Sequence, residues 1–263
     1  MASHPTDPFE LGRGPDAVLL LHGFSGSPFE LRPLAYSLAA RGFRCKAPLL
    51  PGHGPFANLA ASSDADWLDG AEEAFAALRR ETTGRVFVVG FSMGATLAIR
   101  LAAAHGPELA GMVLLAPALA LKGPSAVFRA LFRHRAVSAL WTQVDKGPGD
   151  LLDRSISMPV LPPIATKAAA SLDRAIVAAA EALPLVTTPA LVLWGARDRV
   201  VPRRAAEEAA ARIGSGPAPL VVLPYSAHQL ALDTDRELVG KLVIAFFDRL
   251  SSGRRELAQG GIG

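Results

Sequence analysis

Short, nearly unbroken apolar runs recur along this chain, each followed by an amphipathic stretch of helical period. The first reads Ala17-Val18-Leu19-Leu20-Leu21, and others lie near 43–47, 86–89, 112–115, 190–194 and 220–223. A strand that is apolar on both faces belongs in a sheet covered on both sides, as parallel sheets are. The intervening stretches 28–41, 64–80, 95–105, 203–212 and 235–250 show helical amphipathic patterns. Strand and helix in alternation predict an α/β fold, a mostly parallel, doubly wound sheet flanked by helices. With half of its 263 residues hydrophobic, the chain can bury such a sheet within one domain carrying an insertion.

The insertion is where the alternation stops. From about 118 to 189 no buried strand is evident. Helical pieces at 125–141 and 164–183 are separated by Lys146-Gly147-Pro148-Gly149 and Met158-Pro159-Val160-Leu161-Pro162-Pro163. Open α/β sheets hold ligands beyond the carboxyl ends of their strands, and an insertion leaving that edge reads as a helical cap or lid. The expected organisation is therefore a core of 1–117 and 190–263 with a cap of 118–189. The last residues, from Gln259 to Gly263, read as a frayed tail.

Charge excludes some functions. Only 19% of residues are charged and the net is +3, without the concentrated basic stripe of a nucleic-acid binder. The densest basic group, Arg129, Arg133, His134 and Arg135, is interrupted by Leu131-Phe132 and reads as a solvated helix face. A single cysteine, Cys45, rules out an internal disulfide and reads as a small sheet residue. The start of the chain lacks a basic and apolar leader pattern. The most apolar stretch, about 111–121, is too short to span a bilayer and contains Pro117. A cytoplasmic protein without a membrane segment or a nucleic-acid partner is expected.

The chemistry begins at Gly90-Phe91-Ser92-Met93-Gly94, which follows the apolar run at 86–89 and opens the helical run at 95. In a strand-to-helix turn this tight, the central residue is forced into a strained backbone conformation and its neighbours must be small. The serine hydroxyl is then exposed above the sheet, with the N–H groups of a helix start behind it. A serine hydroxyl hardly ionises near neutral pH, so it needs a base, and the base needs a partner that fixes its tautomer.

Asp198 lies just after the fifth run, in Trp194-Gly195-Ala196-Arg197-Asp198, and His228 just after the sixth, in Ser226-Ala227-His228. Serine, acid and histidine in that order, each from a loop at one sheet edge, form a nucleophile, an orienting acid and a base. The rival acids are Asp173, inside a cap helix, and Asp233 and Asp235, which lead into the final helix as caps. Of the rival histidines, His105 closes a helix, His134 belongs to the basic group, and His4 lies in the N-terminal segment. His22 and His53 sit in tight loops and read as braces.

The turn His22-Gly23-Phe24-Ser25-Gly26 directly follows the first run and lets a backbone N–H face the site across from Met93. Two such donors would hold an oxyanion, and one of them is typically worth ~3 kcal/mol of barrier lowering. The sequence contains no zinc-binding H-E-x-x-H, no paired C-x-x-C, no P-loop and no G-x-G-x-x-G, so neither a metal nor a cofactor is expected.

With these motifs the chain resembles the α/β-hydrolase superfamily, and within it bacterial carboxylesterases and monoacylglycerol lipases with a small helical cap. The resemblance rests on Leu20-Leu21-His22-Gly23-Phe24-Ser25-Gly26-Ser27-Pro28, Leu50-Pro51-Gly52-His53-Gly54, the serine pentapeptide, the segment from Trp194 to Pro202, and Ser226-Ala227-His228. It implies a Ser92–His228–Asp198 triad and an oxyanion hole made of the Phe24 and Met93 amides. Ala95 stands where relatives often carry glycine. The resemblance further implies hydrolysis of short- to medium-chain carboxylic esters, monoacylglycerols included, through an acyl-enzyme. Thioester and C–C hydrolysis use the same apparatus, and a non-catalytic ligand binder is the alternative from another class. An imidazole base predicts activity that declines as pH drops through roughly 6 to 7. Phe128, Phe132, Leu140 and Trp141 are candidates for an acyl pocket; at helical spacing they fit a cap core equally well.

Overall fold

The fold is taken from a computed structural model that describes residues 4–55, 58–132, 134, 137, 140–144, 149–159 and 162–259, with 253–259 described by backbone alone. Arg133 and Arg135 of the basic group, 136, 138 and 139 of the expected helical stretch 125–141, residues 146–148 and 160–161 of the two separators, and 260–263 of the expected tail lie outside the described residues.

The apolar runs form β2 (Ala17–Leu21), β3 (Arg44–Ala47), β4 (Val86–Phe91), β5 (Leu109–Leu115), β8 (Ala190–Gly195) and β9 (Leu220–Leu223). They pair in parallel in the order β3-β2-β4-β5-β8-β9. A further strand, β1 (Phe9–Leu11), adds antiparallel to β3 at the edge, with Phe9 opposite Ala47 and Leu11 opposite Cys45. Three residues with Glu10 in the middle carry too little periodicity to be read from sequence. That glutamate accepts hydrogen bonds from Lys46 Nζ at 2.7 Å and an Arg44 guanidinium nitrogen at 3.0 Å.

Alternation along each strand splits the core into two layers. Leu19, Leu21, Val88, Met112, Leu114 and Val192 face one side, while Val18, Leu20, Val89, Val113, Leu115 and Leu193 face the other. The first side is covered by α2 (Asp64–Glu81), α3 (Met93–His105) and α6 (Arg203–Arg212), the second by α1 (Arg32–Ala40) and α7 (Arg236–Gln259). Ser63 starts α2 with a capping box, in which its hydroxyl accepts from the Asp66 N–H and its own N–H donates to the Asp66 carboxylate. Cys45 is fully buried in the second layer, and burial pushes its thiol up to about 12, so it is unreactive at neutral pH.

The 118–189 stretch is not uniform. It contains α4 (Gly123–Phe132), a two-stranded pairing of β6 (Gln143–Val144) with β7 (Ile164–Ala165), and α5 (Ala168–Ala182). On α5, Ala168, Leu172, Ile176 and Ala179 are buried in the same apolar cluster as α3 and the sheet. On α4 only Phe132 is buried. The two helices are tied by an ion pair between Arg129 Nε and Asp173 at 2.5 Å, which gives Asp173 a structural partner. Among the described residues no helix is long and apolar enough to cross a membrane.

Candidate active site

Strand β4 passes into α3 through one residue. Ser92 has φ 54° and ψ −112°, in the region of backbone space that side chains avoid. Both flanking glycines are required by space. A Cβ at Gly90 would run into the Gly94 carbonyl and Ala95, and one at Gly94 into the carbonyls of Leu21 and His22. The turn is held by the Ser92 N–H donating to the Leu115 carbonyl at 2.9 Å, while the Ser92 carbonyl accepts from Ala95 N–H at 3.1 Å and Ala118 N–H at 3.3 Å. Strain at the serine is thus supported by the next strand, the helix and the start of the insertion.

Asp198 follows β8 and is 2% exposed. Its Oδ1 accepts the N–H groups of Val200 and Val201, both at 2.7 Å, leaving Oδ2 aimed at His228 Nδ1 at 2.8 Å. A buried carboxylate needs such donors to remain tolerable. His228 follows β9, lies against the Phe91 ring at 4.9 Å, and brings Nε2 to 3.0 Å from Ser92 Oγ. Three side chains from three loops thus form one hydrogen-bonded line, with the imidazole nitrogens engaged at opposite ends. A proton can leave the hydroxyl for Nε2 while the carboxylate faces the resulting cation.

The loop after β2 faces this line. His22 is fully buried; its Nε2 accepts the Leu50 N–H at 3.1 Å, so Nδ1 carries the proton and donates to the Gly23 carbonyl at 2.9 Å. His53 donates from Nδ1 to the Pro51 carbonyl at 2.9 Å and lies edge-on to the rings of His22 and Trp67. Phe24 packs edge-on against Trp67 at 5.8 Å. Both histidines act as loop braces here. Ser25 adopts φ 51°, turning the chain after Phe24. The Met93 N–H, first in α3, has no intrahelical carbonyl to meet and is available to a developing negative charge.

Glu30, 4% exposed, was not legible as a site residue. It accepts the Gly23 N–H at 2.9 Å and the Gln229 side-chain amide at 3.3 Å, joining the turn after β2 to the loop that carries His228. Its position at the start of an amphipathic run gives it the sequence signature of a surface glutamate. Asp150 was missed in the same way. Asp233 reads as a helix cap but accepts N–H groups from Ala227 at 2.7 Å and Leu152 at 3.0 Å. Asp235 holds the Tyr225 N–H at 2.8 Å and the Ser226 hydroxyl at 2.9 Å.

A cavity of about 280 Å³ opens at Ser92 and His228. Leu121, Phe128, Ile164, Leu172 and Val200 form its apolar wall, while Glu30, Asp150 and Gln229 lie at its polar end. Of the four expected acyl-pocket residues, only Phe128 lines it. Phe132 stands behind Phe128, ring centres 5.2 Å apart. Leu140 and Trp141 do not reach the cavity: they are 90% and 67% exposed. The helix that carries Phe128 and Phe132, α4, ends at Phe132, and Leu140 and Trp141 lie beyond it. A separate groove of about 600 Å³ near Pro51, Asp66 and Glu73 is not lined by Ser92, Asp198 or His228. Among the described residues no group of three or more ligand-type side chains could hold a metal ion.

This strand order, with a strained serine joining the central strand to its helix and an acid and a histidine on the following loops, defines an α/β-hydrolase. The chain belongs to the serine aminopeptidase, S33 family, whose model matches residues 14–235. It is similar to a thermostable monoacylglycerol lipase of Bacillus sp. (strain H-257), 29% identical over 92% of this chain and 94% of that one. It is similar also to a carboxylesterase of Bacillus subtilis (strain 168), 24% identical over 92% of this chain and 96% of the relative. A solved structure from work on LipS and LipT, two metagenome-derived lipolytic enzymes, superposes with a TM-score of 0.85. That structure is 28% identical and covers 93% of this chain and 98% of its own.

Proposed function

We propose that this protein is a serine ester hydrolase that cleaves short- to medium-chain carboxylic esters, monoacylglycerols among them, through an acyl-enzyme. The observation that carries the reading is the line Ser92 Oγ, His228 Nε2, His228 Nδ1, Asp198 Oδ2, with contacts of 3.0 and 2.8 Å. Similarity to the lipase and the carboxylesterase over more than nine-tenths of the chain supports ester bonds as the target.

Ser92 attacks the ester carbonyl as its proton passes to His228. Asp198 keeps the imidazole in the productive tautomer and offsets its charge. The oxyanion is met by the Phe24 and Met93 amides, collapse expels the alcohol with the proton from His228, and water repeats the sequence on the acyl-enzyme. Residues 118–189 act as a cap whose Phe128 and Leu172 supply the apolar wall for the acyl chain. At about 280 Å³ the cavity is at the small end for ligand pockets, which supports short to medium acyl groups. The reading includes a cytoplasmic location and no nucleic-acid partner, supported by the modest net charge of +3 and the single cysteine.

The test is turnover of p-nitrophenyl esters of increasing acyl length by purified protein, beside monoacylglycerols and a thioester. Turnover with a maximum at short or medium acyl length is expected, together with fluorophosphonate labelling that Ser92→Ala abolishes. Labelling that persists in that variant would exclude the nucleophile, and faster turnover of the thioester would move the substrate class.

A further inference from the structure

The insertion reaches down to the loops of both the acid and the base through one carboxylate. Asp150, whose side chain is 8% exposed, accepts the Arg199 backbone N–H at 2.8 Å and the Arg199 Nε at 2.6 Å. It also accepts the backbone N–H of His228 at 3.3 Å, and its own carbonyl takes the Gln229 N–H at 3.1 Å. Arg199 directly follows Asp198. One carboxylate from outside the core therefore holds the main chain next to the acid and the main chain of the base itself. From the other direction, Asp233 of the core accepts the N–H groups of Leu152 at 3.0 Å and Asp153 at 2.9 Å, together with that of Ala227 at 2.7 Å. Residues 150–153 are thus gripped on both sides.

The Arg199 guanidinium is 70% exposed, so its ion pair with Asp150 is a weak surface contact by itself. The main-chain bonds are the stronger constraint, because one carboxylate oxygen takes both the N–H beside the acid and the N–H of the base and so fixes the spacing of the two loops. A shift of the base by about 1 Å is enough to cost ~100-fold in rate.

We propose that Asp150 is a positioning residue, and that the insertion supplies through it the acceptor that keeps the Asp198 and His228 loops in register. Seating of 150–153 and assembly of the triad are then one event, and any opening that lifts this segment also dismantles the proton relay. The inference rests on the ester-hydrolase reading above.

Asp150→Ala and Asp150→Asn in the full chain test it, with kcat and KM measured separately on p-nitrophenyl butyrate and the fluorophosphonate labelling rate followed in parallel. Asp150→Ala is expected to lose about 10- to 100-fold in kcat and in labelling rate, with KM within about threefold. Asp150→Asn keeps an oxygen for the two main-chain N–H groups and is expected to recover most of the loss. Asp173→Ala, which breaks the ion pair between the two insertion helices, controls for general loosening and is expected to stay within about twofold of the parent. Parent-like kcat in Asp150→Ala, a loss confined to KM, or an equal loss in Asp173→Ala would each overturn the assignment. If Asp150→Ala does not fold, Asp150→Ser replaces it with the same expected loss; failure of both to fold would overturn positioning in favour of a purely structural role. The parent is read first: no turnover and no labelling there would sink the ester-hydrolase reading itself. An active parent with an equally active Asp150→Ala would sink only this inference.

Discussion

The loops at the carboxyl edge of the sheet and the insertion above them enclose the same cavity, but they are held by different means. At the edge, Ser92 is held by the Leu115 carbonyl, Asp198 by the N–H groups of Val200 and Val201, and His228 by Asp198 and by Asp150 of the insertion, with each of the three side chains buried and engaged. The insertion is held unevenly. Helix α5 is sunk into the apolar cluster of the sheet, whereas α4 buries only Phe132 and leaves Val127 and Leu131 about half exposed. Burial therefore grades across the site, from the strands through α5 to α4. On the proposed reading, a scaffold that holds a proton relay benefits from this, while a less deeply packed acyl wall can yield to different substrates.

The sharpest way to break this comparison is at the nucleophile. Ser92→Ala is expected to lower kcat/KM by about four to six orders of magnitude without lowering the thermal midpoint, as read by ester turnover and calorimetry. A loss of less than about tenfold would place the chemistry elsewhere. Next comes Gly94→Ala, whose Cβ would meet the Leu21 carbonyl. It is expected to cost about 3 kcal/mol or more of stability by denaturant unfolding, because the facing atoms are main chain and cannot turn aside.

Within the insertion the contrast is between α5 and the segment that follows α4. Ile176→Ala on α5 is expected to destabilise the protein by roughly 2–5 kcal/mol, as a core truncation does, while Trp141→Ser should stay within about 0.5 kcal/mol. Equal effects would erase the distinction between a core-packed and a peripheral part. Phe128→Ala is expected to shift the preferred acyl length upward and change turnover of short esters by less than about tenfold.

The smallest effect concerns pH. The Ser155 hydroxyl and N–H, with the Arg236 guanidinium, hold the Asp153 carboxyl down at about 2, against an ordinary value of 3.8. Because the folded value is depressed, the stabilisation it provides is complete above about pH 4 and is lost as pH falls toward 2. Thermal midpoints of the parent and Asp153→Asn should therefore differ slightly at pH 5 and converge on acidification.

Much of this site can be read from residue order because its chemistry is local in kind. The turn around Ser92 needs glycines two positions to either side, and the β8 and β9 loops follow directly on apolar runs, so Asp198 and His228 carry positional signals. Glu30, Asp150 and Asp233 carry none. Each acts by accepting N–H groups from residues distant in the chain, with separations from Gly23 to Glu30 of 7 and from Leu152 to Asp233 of 81. A carboxylate that will accept buried main-chain donors looks, in a string of letters, like any solvated or helix-capping one. Of the acyl-pocket residues, Phe128 lines the cavity but Leu140 and Trp141 do not, because a side-chain period does not say which face of the insertion meets solvent.

The sequence by itself determined the alternating α/β order, the strained serine turn and the identity of the three side chains in the Ser92–His228–Asp198 hydrogen-bonded line. These follow from the spacing of apolar runs and from steric limits on single residues. Tertiary structure alone decided that α5 packs into the apolar cluster of the sheet, that Leu140 and Trp141 face solvent, and that a carboxylate from the insertion spans two loops. Those outcomes depend on which distant main-chain donors and apolar faces meet, and no local pattern encodes that meeting.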